Sequence, residues 1–253
     1  MPNLFRADNG LIIALDCNGE KELVRGLEST KDLEGVVAYK PGCVPLLSIE
    51  GGISHITNII REYTDLPIIY DNQKFCLARD DEEELSLPSK ISPIMKQSDV
   101  DSVIVLGIAN NNINSAYKAD LEIFIRTFQK NDIIPIVVAH MTTPDYLERE
   151  GGLVPNDVPE FSYRLAAKMG IEYFVIPGNK QKDSEHYVEM ISELIKEPKF
   201  LIPGFGSQGG DKNNIFHITK GCPTYMIIGP YDNIDFSKMD SYAELMSKPE
   251  ILL

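Results

Sequence analysis

The chain has 253 residues, of which 43% are hydrophobic, and its formal net charge is −14. This length can bury a sizeable core and suits either two ordinary domains or one α/β barrel. The acidic balance argues against nucleic-acid binding, and it would repel an anionic substrate unless lysines or backbone amides reverse the field locally.

The sequence shows no membrane span, signal peptide or disulfide framework. No run of about 18 apolar residues occurs, and residues 1–8 lack the basic and apolar regions of a signal peptide. The four cysteines (Cys17, Cys43, Cys76 and Cys222) lie far apart without CxxC spacing. We therefore expect a cytoplasmic protein with reduced thiols and no metal site.

Short β-branched runs alternate with longer amphipathic segments, which is typical of βα units and a parallel sheet. The predicted strands are 11–15, 35–40, 66–71, 102–107, 133–139, 172–177, 200–203 and 224–229. The predicted helices lie near 19–28, 44–63, 82–97, 114–130, 157–169, 184–196, 211–220 and 236–247. Eight pairs at nearly even spacing, with no linker between them, predict one (β/α)8 TIM barrel domain over residues 1–253.

An open, doubly wound sheet is the rival architecture. It would more often show five or six strands and a glycine-rich loop after the first strand. The first loop here reads Asp-Cys-Asn-Gly at 16–19, without GxGxxG. We therefore favour the barrel, whose chemistry takes place on the loops that follow the strands.

Charged residues stand where the first three predicted strands stop. Asp16 follows the first strand, Lys40 ends the second, and Asp71 and Lys74 end the third. Acids and ammoniums that alternate in a partly dry cavity keep one another charged, which suits proton transfer or stabilisation of a carbanion. This clustering is the main functional signal of the sequence.

Two later segments also suggest a ligand site. The loop 203–211 (Pro-Gly-Phe-Gly-Ser-Gln-Gly-Gly-Asp) directly follows the seventh strand, and Gly229 ends the eighth. Barrels often bind phosphate between these two loops, where backbone amides approach an anion closely. The longest irregular loop, 141–159, contains Gly151 and Gly152 and could fold over the site as a lid.

These residues resemble the orotidine 5'-phosphate decarboxylase family over most of the chain. The resemblance is carried by 11–16 (Leu-Ile-Ile-Ala-Leu-Asp), 39–42 (Tyr-Lys-Pro-Gly), 68–74 (Ile-Ile-Tyr-Asp-Asn-Gln-Lys), 141–144 (Met-Thr-Thr-Pro) and the loop 203–211. The last motif is the most specific, because it is close to the family's Pro-Gly-Val-Gly-Ala-Gln-Gly-Gly signature.

The resemblance implies cofactor-free decarboxylation of orotidine 5'-phosphate to uridine 5'-phosphate, a step of pyrimidine biosynthesis. It makes Lys74 the general acid and places Lys40, Asp71 and a further Asp in a charged array around it. It also implies a homodimer, in which that further Asp reaches into the partner's site. The implied substrate-binding residues are Asp16 for the ribose, Thr142 for the pyrimidine, and Gln208, Gly209 and Gly229 for the phosphate.

Two departures from the family pattern concern the second acid and the phosphate site. The family reads Asp-x-Lys-x-x-Asp on the third strand. Here one extra residue precedes Lys74, and the residues three and four positions after it, Leu77 and Ala78, are not acids. Asp80 or Asp81 would have to replace that acid. The family's Gly-Arg after the eighth strand is Gly229-Pro230 here, which lacks both the guanidinium and a backbone N–H. Arg79 or Lys180 would have to compensate.

Two alternatives to the decarboxylase remain open. One is a phosphosugar enzyme of the same barrel type, similar to 3-hexulose-6-phosphate synthase or 3-keto-gulonate-phosphate decarboxylase, which use Mg²⁺. The other is a non-catalytic barrel that binds a nucleotide or a protein partner.

Overall fold

The computed structural model describes residues 3–73, 86–107, 116–205, 209–210 and 214–229, with side chains left out at 116–120. Eight strands lie within this part of the chain: β1 (Asn9–Leu15), β2 (Val36–Pro41), β3 (Ile69–Asp71), β4 (Ser102–Leu106), β5 (Ile134–Val138), β6 (Tyr173–Val175), β7 (Lys199–Ile202) and β8 (Thr224–Ile228). The helices between them are α1 (Glu20–Thr30), α2 (Cys43–Ser48), α3 (Gly52–Tyr63), α4 (Leu87–Gln97), α5 (Ala116–Lys130), α6 (Val158–Lys168), α7 (Gln181–Ser192) and α8 (Ile215–Thr219).

All eight strands belong to one parallel sheet in the order β2-β1-β8-β7-β6-β5-β4-β3. The two ends of this order meet at an isolated parallel bridge between Tyr39 and Ile68. There the Tyr39 N–H also donates to the Pro67 carbonyl at 3.0 Å. The sheet is therefore a nearly closed barrel with alternating helices, which confirms the predicted (β/α)8 fold.

The alternation of side chains along each strand separates two apolar layers. On β1, Leu11, Ile13 and Leu15 pack outward against the helices. Ile12 and Ala14 belong to the second cluster, which fills the barrel interior. The next inward position after Ala14 is Asp16, at the carboxyl end of the strand.

The amino-terminal segment covers the bottom of the barrel. Phe5 is buried there, with its ring centroid 5.7 Å from that of Tyr173 and 4.1 Å from that of Tyr225. The hydroxyl of Tyr225 donates to the Ala7 carbonyl at 2.9 Å. This end of the interior is thus closed by packed rings, and the opposite end, where the strands finish, carries the polar side chains.

One predicted helix, 44–63, is wrong as a single element, because the chain forms α2 and α3 there. Ile49 adopts an extended conformation after α2, and Gly51 takes the left-handed conformation with φ of 90° before α3. Neither geometry continues a helix, and glycine adopts the left-handed one without steric cost. The predicted helix 236–247 lies outside the described residues.

No helix in the described part of the chain combines the length and the apolar character that crossing a membrane requires.

Candidate active site

The ends of the first three strands bring Asp16, Lys40 and Asp71 together. Lys40 Nζ donates to Asp71 Oδ2 at 2.8 Å and lies 3.7 Å from Asp16 Oδ2. The Lys40 side chain is only 6% exposed, against 17% for Asp71 and 51% for Asp16. A buried ammonium thus lies between one largely buried carboxylate and one that faces the solvent.

Strand periodicity explains why these three side chains converge. Asp16 continues the inward series of Ile12 and Ala14, and Asp71 lies two residues after the interior residue Ile69. Lys40 likewise lies two residues after Ala38, which also belongs to the interior cluster. Because parallel strands finish at the same end of a barrel, their last inward side chains meet there.

Gly42, just after β2, makes room for Asp16. A Cβ atom at this position would lie 2.6 Å from Asp16 Oδ1, which is closer than real contacts allow. The backbone of Gly42 is extended, with φ of −116°, so that any residue could adopt it. The glycine is therefore needed for space beside the carboxylate and not for its backbone conformation.

The charge of Lys40 is maintained by its two acids. Burial alone would lower the pKa of the ammonium, but the charges and hydrogen bonds of Asp71 and Asp16 outweigh burial and raise that pKa. Lys40 is therefore a permanent cation at neutral pH, held in a largely water-free position. Such a fixed charge stabilises negative charge that develops on a bound molecule.

The remaining predicted site residues fall in two groups. Lys74 and Gln208 lie outside the described residues, as do Ala78, Arg79, Asp80, Asp81 and Pro230. Thr142 lies at the mouth, where its carbonyl accepts a hydrogen bond from Asn179 Nδ2 at 2.9 Å. Gly209 is exposed with φ of 81°, and Gly229 is buried at the end of β8.

Two glycines let the loop after β7 fold closely on itself and against Thr142. The Gly210 N–H donates to the Gly204 carbonyl at 2.8 Å, and a Cβ on Gly210 would lie 2.4 Å from that oxygen. Gly204 has φ of 105°, and a Cβ there would lie 3.0 Å from the methyl group of Thr142. The loops after β5, β6 and β7 therefore meet at Thr142.

A second polar cluster, around His140, lies beside the mouth. His140 Nε2 is 3.0 Å from Lys180 Nζ and 3.1 Å from Glu150 Oε1, and Nδ1 is 3.1 Å from the Tyr187 hydroxyl. Lys180 Nζ also donates to Glu150 Oε2 at 2.7 Å and to the Thr143 carbonyl at 3.0 Å. We call His140, Glu150 and Lys180 the clasp, because they tie the loop 141–159 to the end of β6.

The clasp holds His140 neutral and Glu150 ionised. Burial, together with the nearby Lys180 ammonium, lowers the pKa of His140 to about 4 despite the opposing carboxylates of Glu150 and Asp183. Burial opposes the ionisation of Glu150, but hydrogen bonds from Lys180 and the Leu147 N–H lower its pKa to about 2. A neutral imidazole that accepts from Lys180 at Nε2 carries its proton on Nδ1, next to the Tyr187 hydroxyl.

The donor atoms of His140, Glu150 and Asp183 lie within 4.8 Å of one another, close enough to hold a metal ion. Protein cations already fill the positions that such an ion would take. Lys180 lies against His140 and Glu150, and Arg149 Nη2 donates to Asp183 Oδ1 at 2.7 Å. The charges of this group balance without a metal, and we assign none to it.

The same contacts limit the ability of Lys180 to donate hydrogen bonds to a phosphate. An ammonium has three N–H donors, and Lys180 uses them on His140, Glu150 and Thr143. The expectation that Lys180 replaces a phosphate-binding arginine therefore requires the clasp to open first.

An open cleft of about 650 Å³ adjoins these two clusters. One wall comes from Gln73, which follows β3, and from Leu106, which ends β4. The other wall comes from the loop 141–159, and its lining residues are Met141, Thr143, Asp145, Tyr146, Gly151, Gly152 and Leu153. The Gln73 N–H lies 3.4 Å from Asp71 Oδ1, so the cleft begins directly beside the charged array.

Comparisons with known proteins bear on the fold. No family model matches the chain, and no curated protein sequence does so either. Among solved structures, orotidine 5'-monophosphate decarboxylase from Sulfolobus solfataricus aligns over 94% of this chain and 98% of its own, with a TM-score of 0.61 and 17% identity. The chain has the fold of orotidine 5'-monophosphate decarboxylases. UMP synthase from Leishmania donovani aligns over 94% of this chain and 52% of its own, with a TM-score of 0.67 and 16% identity.

The decarboxylase fold is shared with barrels of other activities. The carboxyl transferase domain of pyruvate carboxylase from Rhizobium etli aligns over 88% of this chain and 40% of that one, with a TM-score of 0.56 and 9% identity. Identities this low support a common fold, and the chemistry has to be argued from the site itself. The resemblance of the sequence to the decarboxylase family is therefore confirmed for the fold.

The clasp is the part of the site that the sequence did not predict. His140 was recognisable as a residue just past the fifth strand, but nothing in the sequence paired it with Glu150 or Lys180. The one available signal was the position of Lys180 in the loop that follows the sixth strand, since such loops surround the mouth of a barrel.

Proposed function

We propose that this chain catalyses the cofactor-free decarboxylation of orotidine 5'-phosphate to uridine 5'-phosphate. The observation that carries the proposal is the buried Lys40 ammonium between Asp71 and Asp16 at the strand ends, beside a cleft large enough for a nucleotide. The fold shared with two proteins of pyrimidine nucleotide synthesis supports it.

In the proposed reaction, the bond between C6 of the pyrimidine and its carboxyl carbon breaks. Carbon dioxide leaves, and the electron pair of the bond stays on C6. The Lys74 ammonium then donates its proton to C6 and becomes a neutral amine. The fixed charge of Lys40 stabilises the carbanion, and Asp71 keeps Lys40 in place.

Substrate binding would use the ends of the other strands. Asp16, with its exposed carboxylate, would accept hydrogen bonds from the ribose hydroxyls. Thr142 would face the pyrimidine, and Gln208, Gly209 and Gly229 would contact the phosphate. We further propose a homodimer of single-domain subunits, in which an Asp from the partner completes the charged array.

The test is the loss of substrate absorbance when the purified protein is mixed with orotidine 5'-phosphate. We expect turnover in the unaltered protein and a loss of at least about 100-fold in Lys74→Ala, which is the lower end of what general acids contribute. The matched control is Lys182→Ala, since Lys182 is exposed on α7 and should retain activity within about two-fold. Turnover that survives in Lys74→Ala would refute the assigned role of Lys74.

A non-catalytic, nucleotide-binding barrel is the second candidate. The observation that favours it is the engagement of Lys180 in the clasp, which leaves this lysine without a donor for a phosphate. A folded protein that binds uridine 5'-phosphate weakly and shows no turnover would support this candidate over the decarboxylase.

A further inference from the structure

Tyr146 forms the aromatic wall of the cleft at the barrel mouth. It lines the cleft together with apolar side chains, among them Leu106, Met141 and Leu153. The Leu153 side chain is almost fully exposed on the opposite part of the same loop. A half-buried ring beside exposed apolar groups presents a surface that a flat, weakly polar molecule can cover.

The ring of Tyr146 is fixed from behind by the clasp. It stacks on the buried His140 ring with centroids 5.7 Å apart and an interplanar angle of 24°. Lys180 Nζ lies 5.9 Å from the centroid of the Tyr146 ring, and the Tyr146 N–H donates to Glu150 Oε2 at 3.2 Å. Because folding already orders this ring, a ligand that stacks on it does not have to immobilise it.

The loop backbone wraps closely around Tyr146. A Cβ on Gly152 would lie 2.1 Å from the Asp145 carbonyl oxygen and 2.2 Å from that of Tyr146. The Val154 N–H donates to the Tyr146 carbonyl at 3.2 Å. Only glycine fits at 152, so the loop supports Tyr146 as a compact turn anchored to the barrel.

From this arrangement we infer that a heteroaromatic base stacks on Tyr146, which makes this residue a determinant of substrate class. The inference rests on the proposed function and deepens it, because it separates a nucleotide from the phosphosugars that related barrels use. A phosphosugar has no flat π-face, so it cannot gain the base stacking that an ordered aromatic ring offers. A stacked base gains about 1–3 kcal/mol, which corresponds to roughly 5- to 150-fold in affinity.

The test compares the binding of two ligands that differ by the base alone. Calorimetry would measure the dissociation constants of uridine 5'-phosphate and ribose 5-phosphate for the unaltered protein, Tyr146→Leu and Tyr146→Phe. We expect Tyr146→Leu to weaken uridine 5'-phosphate by about ten-fold or more and to leave ribose 5-phosphate within about two-fold. Tyr146→Phe keeps the ring and should retain most of the affinity for uridine 5'-phosphate. Tyr63→Leu, at the end of α3, is the control substitution.

Three results would overturn the inference. They are an unchanged affinity of Tyr146→Leu for uridine 5'-phosphate, an equal loss for both ligands, and no binding of uridine 5'-phosphate by the unaltered protein. The decarboxylation assay stands apart from these outcomes. Base-dependent binding without turnover would refute the decarboxylase activity and support stacking on Tyr146. Turnover with a Michaelis constant that Tyr146→Leu leaves unchanged would support the decarboxylase activity and refute the stacking.

Discussion

The buried His140 should make the stability of this protein fall steeply in mild acid, and His140→Gln should remove that dependence. His140 has a folded-state pKa of about 4, against an ordinary value of 6.5, because burial and Lys180 disfavour its charged form. As the pH falls below about 6.5, the unfolded chain takes up a proton that the folded chain cannot accept. The titration of His140 therefore lowers the free energy of unfolding between pH 6.5 and 4 and adds no further loss below that range.

The magnitude follows from the two pKa values. Each pKa unit corresponds to about 1.4 kcal/mol, so the full loss is roughly 3 kcal/mol. About 2.5 kcal/mol of it is already lost by pH 4.5. This is a large share of the 5–15 kcal/mol by which domains of this kind are stable. Glu150, whose pKa is about 2, acts in the same direction at lower pH, because its ionised form is favoured in the folded state.

The assay is urea unfolding at several pH values from 7.5 to 4.5, on the unaltered protein, His140→Gln and His186→Gln. His186 lies on α7 with 56% of its side chain exposed, so its variant should follow the curve of the unaltered protein. The His140→Gln curve should be flatter by about 2.5 kcal/mol over this range. If the free energy of unfolding depended on pH in the same way in all three proteins, His140 would not be held neutral by the fold. The account of the clasp, in which burial and Lys180 lower the pKa of His140, would then be wrong.

Two further predictions concern the charged array and the bottom of the barrel. Gly42→Ala should change the free energy of unfolding by no more than about 1 kcal/mol in either direction, because the extended backbone suits alanine whereas the added methyl group displaces Asp16. The substitution should lower kcat/KM about ten-fold, because it displaces Asp16 from Lys40. In an Asp16→Ala background it should have no further effect on kcat/KM, and an equal loss in both backgrounds would contradict this account. Phe5→Ala should lower the free energy of unfolding, measured by denaturant titration, by about 3–5 kcal/mol and change kcat/KM little. A decrease in the free energy of unfolding below about 1 kcal/mol would show that the packed rings of Phe5 and its neighbours do not close the bottom of the barrel.

The fold was largely predictable because its signals are local. Each of the eight predicted strands overlaps an observed one, since β-branched runs bounded by turn residues are readable within a few positions. The single helix over 44–63 failed at Gly51, where a left-handed residue interrupts an otherwise apolar pattern. A glycine inside a helical pattern does not by itself show which conformation it adopts.

The site was predictable where it depends on strand periodicity and not where it depends on loops. Lys40 and Asp71 could be placed together because both end neighbouring parallel strands. Glu150 and Lys180 meet across 30 residues of chain, through a loop whose path no periodicity describes. Lys74 and Gln208 remain predictions from resemblance.

The junction between β2 and β3 links the candidate active site to the closure of the barrel. These strands meet through one isolated bridge between Tyr39 and Ile68, and the Lys40–Asp71 ion pair spans the same gap one residue after Tyr39 and three residues after Ile68. The ion pair therefore adds a side-chain link between the two neighbouring strands that share the shortest backbone pairing in the barrel. A ligand that drew Lys40 away from Asp71 would remove this link, and part of its binding energy would then be spent on loosening the closure of the barrel.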